Sequence, residues 1–199
     1  MSAFLGPIHY WMYDKIQAQE ELIRRIAAKA VAEGWASEEA AASYVNDEDR
    51  PLDELIGDDI HGFLSGRIDD AENRYAQLVA NLLNGHEDRL SALKEIAYTF
   101  GTEHAAEASC EPAEAYKSIE DVTLNGMPCD GVNIVTDKSA DHFSWEQRFD
   151  VHSPYWAQAG GDANVYFALR NQLIAGILSN TPYAVATTDG TEFTLVRAK

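Results

Sequence analysis

The sequence predicts an α+β protein: an N-terminal helical layer of about four helices, then a four-stranded antiparallel sheet with one packed helix (ββαββ). Three observations lead there. As far as about residue 120, apolar residues recur at intervals of three, four and seven, the period of a helix with one buried face. Beyond it, "FSWEQRFDV" alternates apolar and polar residues, the period of a half-buried strand. The tail "YAVATTDGTEFTLVRA" then sets Asp189-Gly190 between two alternating runs, a strong short-range hairpin signal.

The elements follow in order. A first helix over about residues 8–32 carries Ile8, Met12, Ile16, Ile23, Ile26 and Ala30 on one stripe and stops at Gly34. Ser37 caps a short helix in "SEEAAASYV". An acidic stretch with Pro51 reads as a loop with room for one helical turn. The next helix covers about residues 58–83, striped by Ile60, Phe63, Leu64, Ile68, Ala71, Tyr75, Leu78 and Leu82, and Asn84-Gly85 stops it. A helix over about residues 87–108 turns Leu90, Leu93, Ala97 and Phe100 inward, and a short one over 112–119 follows.

"VNIVT" and "FSWEQRFDV" pair through the polar loop "DKSAD". The second strand puts Phe143, Trp145, Phe149 and Val151 on one face and Ser144, Glu146, Arg148 and Asp150 on the other. His152 continues the polar, solvated face, and "HSPYW" reads as a turn. "ANVYFALRNQLIAGILSN" is apolar over most of its circumference and reads as a buried helix. The change near residue 120 separates a helical part, residues 1–119, from a ββαββ part, residues 120–199, expected to form one compact unit.

Fifteen Lys and Arg against 33 Asp and Glu give a formal charge of -18. That disfavours nucleic acid, whose phosphates need a basic footprint, and anionic membrane surfaces. Cys110 and Cys129 form no C-x-x-C pair and read as reduced thiols of a cytoplasmic protein. No apolar run approaches the roughly 18 residues that span a bilayer. "MSAFLGPIHY" lacks the basic and long apolar regions of a signal peptide. A homodimer stays open.

Six histidines are present, and none makes an H-x-x-x-H or H-E-x-x-H pair. Any site must therefore come from packing. His104 falls seven residues after Ala97 and eleven after Leu93. At about 100° per residue it lies within about 20° of both, on the apolar stripe. His61 relates in the same way to Ile68, Glu72 and Val79. Glu72 on that stripe calls for a buried partner. His9, in "GPIHYWMY", shares a flank with Tyr13, Ile16 and Ile23. Short links make the 58–83 and 87–108 helices antiparallel and the first helix parallel to the 58–83 helix. His9, His61 and His104 then point to one end of the bundle, where imidazoles suit Zn, Fe or haem iron. The plainer reading is histidines satisfied by carbonyls or placed at helix ends. Tyr13, Trp11, Phe100, Tyr155 and Trp156 join Glu72 as candidate pocket or supporting residues. Cys110, six residues after His104, allows a Cys-His pair.

The tail order resembles the small-ligand domains grouped with the 4-vinyl reductase family, and also the haem nitric-oxide-binding domain. "LRNQLIAGILSNTPYAVATTDGTEFTLV" is similar in spacing to the first family's helix-to-hairpin pattern, with Thr188 and Glu192 near the positions where that family has cysteines. His104 precedes the sheet roughly where the haem domain has its ligating histidine. The resemblance implies a small-ligand pocket, with haem as a candidate cofactor and His104 as its ligand. Separately, "FLGPIHYW" and "DDIHGFLSGRIDDAENRYA" resemble segments of an uncharacterised bacterial family, which implies no activity.

The expectation is a soluble small-molecule-binding or sensing protein. Its ligand, a haem, another tetrapyrrole or a small apolar molecule, would sit between helices and sheet. The alternatives are a metal-dependent enzyme, with His9, His61 and His104 on Zn or Fe and Tyr13 or Glu72 as acid or base, and a ligand-free interaction module.

Overall fold

The structure, a computed structural model, describes residues 4–187 and 189–198. Thr188 lies outside them. The described chain is α+β, with the helices α1 (Pro7–Ala32), α2 (Glu38–Ala42), α3 (Leu52–Leu55), α4 (Ile60–Leu83), α5 (Leu90–Glu103), α6 (Pro112–Val122), α7 (Ser153–Gln158) and α8 (Ala163–Ile177). Its strands are β1 (Asn133–Lys138), β2 (Phe143–Gln147), β3 (Tyr183–Thr187) and β4 (Glu192–Arg197). No helix among the described residues is long and apolar enough to cross a membrane.

Two compact units form, and they interleave along the chain. Their boundaries fall after Arg89, Val151 and Ala163. The first unit is the chain up to Arg89 together with His152–Ala163. The second is Leu90–Val151 with the chain from Asn164 onward, so α5 and α6 belong with the sheet.

In the first unit, α1 and α4 pack along their length. Met12, Ile16, Ile23, Ile26 and Ala30 are buried from α1, and Leu64, Ile68, Ala71, Tyr75, Leu78 and Leu82 from α4. Ile8, expected on the stripe, is exposed, because it sits in the first turn. The two helices run parallel, as two cross-links show. His9 touches His61 near both starts, and Glu20 meets Arg74 further along. Arg74 grips the buried Glu20 carboxylate with both terminal nitrogens and also donates to Tyr44 O at 2.8 Å. A buried carboxylate is tolerable because this fork and nearby Arg67 neutralise it. α7 lays Trp156 edge-on against Tyr75, 5.9 Å between ring centroids.

"HSPYW" is thus a helical segment rather than a turn, and Trp156 is fully buried. The strand before it ends at Gln147, four residues early. Gln147, not Phe149, occupies the third buried position, and Phe149 is 45% exposed.

In the second unit the strands are all antiparallel, in the order β1-β2-β4-β3. Alternation decides the faces. Phe143, Trp145 and Gln147 of β2 are buried, while Ser144 reaches Thr194 across the other face, 2.8 Å between hydroxyls. Register sets Trp145 opposite Phe193, and Leu195 opposite both Phe143 and Val185. Tyr116 of α6 stacks on Phe143 at 4.4 Å, closing part of the inner face.

α5 and α8 touch through glycines. A Cβ on Gly101 would lie 2.2 Å from Leu173 O, and one on Gly176 would lie 2.2 Å from Tyr98 O. α5 stops at Glu103, not at residue 108, and Ala106 N donates to Ile177 O at 2.8 Å. Leaving the helix frees that amide to satisfy a carbonyl at the end of α8.

Candidate functional site

A cleft of about 700 Å³ opens in the second unit between α8 and the β3–β4 hairpin. The sequence explains its walls. α8 is apolar over most of its surface, so residues beyond those facing α5 remain to line a second contact. Phe167, Ile174 and Leu178 do so, and Tyr183, Val185 and Phe193 face them from the hairpin. These alternate positions share one face of the sheet. The tip is held by Asp189, whose Oδ1 accepts from the amides of Thr191 (2.8 Å) and Glu192 (3.0 Å). Those backbone donors hold the Asp189 carboxyl below the usual aspartate range.

Among the described residues one cation lines the cleft, Arg170. It is only 8% exposed. Its Nη1 donates to Gln147 Oε1 at 2.9 Å, and its Nε has no acceptor. Among the described residues no carboxylate pairs with it. Gln147 is itself oriented by donating Nε2 to Phe149 O at 3.3 Å. The arrangement is a mostly apolar concavity with a buried, incompletely satisfied guanidinium, the chemistry of a small-molecule site.

None of the described histidines lines this cleft. His9 and His61 do meet in the first unit, ring centroids 5.4 Å apart. His9 acts locally, its Nδ1 accepting the Gly6 amide at 2.9 Å and closing the start of α1 behind Pro7. That leaves one ring nitrogen. His61 is exposed rather than inward, because it stands in the first turn of α4. His104 is exposed and lies one residue past the end of α5, its ring 4.7 Å from that of Phe100, in the second unit. Among the described residues no group of three His, Cys, Asp or Glu side chains is placed to hold a metal. His9, His61 and His104 therefore form no such group among the described residues.

The remaining expected residues have identifiable partners. Tyr13 donates its hydroxyl to Arg50 O at 3.0 Å, and burial raises its pKa, which suits a structural donor. Trp11 lies under the Lys15 ammonium at 4.3 Å. Phe100 is core. No hydrogen bond joins Cys110 to His104 among the described residues, and burial pushes the Cys110 thiol up, away from the reactive thiolate.

Glu72 has the partner its position called for. It is His152, fully buried, whose Nδ1 lies 3.2 Å from Glu72 Oε2. His152 is therefore not on a solvated face. Beside it Tyr155 donates to Asp69 Oδ1 at 2.6 Å. Burial first, then that carboxylate, raises the Tyr155 hydroxyl's pKa. Glu72 and His152 show 2% and 0% of their surface, so the pair presents no face to a substrate.

Compared with family models, curated proteins and solved structures, the chain matches none.

Proposed function

We propose that the protein binds a small molecule in the cleft between α8 and the β3–β4 hairpin. The observation that carries this is the cleft itself, about 700 Å³, apolar on both walls, with one buried cation among its described residues. That size falls within the roughly 300–1,000 Å³ of drug-sized ligand sites. The lining is built from regular elements, a helix face and a two-stranded edge, which hold a preformed shape at little ordering cost on binding. The ligand lies within the second unit and needs no histidine.

The test fills the cleft without touching the core. Ala175 and Ser179 line it and are exposed, so Trp can be added at either place with little core strain. A thermal-shift screen of the whole chain against a small-molecule library should raise the melting temperature with some compounds. Ala175→Trp and Ser179→Trp should abolish those shifts. Shifts that persist in both variants would place the binding elsewhere.

A further inference from the structure

Resting on that reading of the cleft, we propose that its ligand is an amphipathic monocarboxylate, with the apolar body along α8 and the carboxylate on Arg170. Arg170 stands apart from the other shielded arginines in the company it keeps. The chain holds 33 acidic residues, and the shielded arginines of the first unit, Arg74 and Arg67, both reach Glu20. Arg170 is buried to a similar degree and receives only a neutral amide. An uncompensated buried charge is costly, and an anion entering the cleft relieves that cost.

The guanidinium is also preorganised. Gln147 fixes one edge of the guanidinium, and Gln147 is fixed in turn by its bond to Phe149 O. A planar fork held in place matches a carboxylate, which accepts two parallel N–H bonds.

The charge and lining of the cleft select the anion. Arg170 is the only Lys or Arg among the described residues lining the cleft. A phosphate monoester carries about −1.5 to −2 charges near neutral pH and would remain under-neutralised there. A carboxylate carries one charge. The apolar walls, with Phe167, Ile174, Leu178, Val185 and Phe193, suit a hydrocarbon or aromatic body.

The experiment titrates the full chain with decanoate, decan-1-ol and decyl phosphate by calorimetry, below their aggregation limits. Decanoate should bind about 10- to 100-fold more tightly than the alcohol, the range expected for a hydrogen-bonded charge pair. The preference should vanish in Arg170→Gln and survive in part in Arg170→Lys, with folding verified by circular dichroism. Ala175→Trp should weaken the acid and the alcohol together. Equal affinity for acid and alcohol in the unaltered chain, both lost in Ala175→Trp, would overturn the carboxylate assignment and leave the cleft reading standing. Tighter binding of decyl phosphate would overturn it too. Binding of none of the three, or binding indifferent to Ala175→Trp, would remove the cleft reading and the assignment with it. The comparison in the unaltered chain decides the matter even if Arg170→Gln fails to fold.

Discussion

At the scale of single residues, Glu72 and His152 are the most exposed to test. Both are shielded from water, and they meet across 80 positions of chain. Glu72 Oε1 already lacks a donor. Removing the imidazole by His152→Ala strands the carboxylate and opens a cavity, which should cost about 3 kcal/mol. Replacing both partners with apolar groups of similar volume, Glu72→Met with His152→Phe, should recover most of that loss. Urea denaturation of the three chains measures it. A double variant no better than His152→Ala would mean that the hydrogen bond is not what holds α7 down.

The same pair shows what was legible. The helical stripe marks Glu72 as needing a partner, since a carboxylate among Ile68, Tyr75 and Val79 has no other reason to be tolerated. Alternation along "FSWEQRFDV" names the wrong status for that partner. Period two carries His152 onto a polar face only while the strand lasts, and the strand ends at Gln147. The pattern of side chains survives past the point where backbone pairing stops. Arg170 gave no signal of its own: its bond to Gln147 joins α8 to β2 across 23 positions, which no local period reports.

At the scale of elements, the crossing of α5 and α8 is set by backbone contact rather than by side chains. Neither Gly101 nor Gly176 has room for a methyl, since carbonyl oxygens stand where it would go. Gly101→Ala or Gly176→Ala should force the helices apart and cost about 1–3 kcal/mol, despite the better helix propensity of alanine. Thermal melts of the two variants give the sign directly. Because α8 is also a wall of the cleft, ligand-induced shifts in melting temperature should shrink in the same variants.

The β3–β4 hairpin carries a pH dependence. Asp189 has a folded pKa lower than its unfolded value, so its contribution is complete above the unfolded value, about 3.9. It is lost as pH falls from there through the folded value, because the unfolded chain takes up the proton more readily. The amides of Thr191 and Glu192 should therefore lose hydrogen-exchange protection below about pH 4. In Asp189→Ala they should be unprotected at neutral pH as well. Protection unchanged down to about pH 2 would mean that the carboxylate does not fasten the tip.

At the scale of the whole chain, the helical, alternating and hairpin periods predict the α+β class correctly, because they report local geometry. The division into units was not legible from them. Composition changes near residue 120, but the units are defined by which surfaces cover one another, and α7 covers α4 from a position after the second strand. A fragment stopping at Arg89 should consequently lack a cooperative melt, since the place of a fully buried Trp156 is left empty. Joining 152–163 to that fragment by a flexible linker should restore one. Circular dichroism separates the outcomes.

Interleaving also sets a schedule for synthesis. The ribosome delivers α1 and α4, then the whole of Leu90–Val151, and only afterwards the helix that covers Tyr75. At roughly 5–20 residues per second that interval lasts several seconds. Throughout it the surface awaiting α7 is open to other nascent chains. The carboxylate of Glu72 stands in the middle of that surface, where a charge discourages association. Glu72→Met should therefore raise aggregation of chains arrested before Ser153 more than it affects the finished protein. Sedimentation of the arrested complexes would show it.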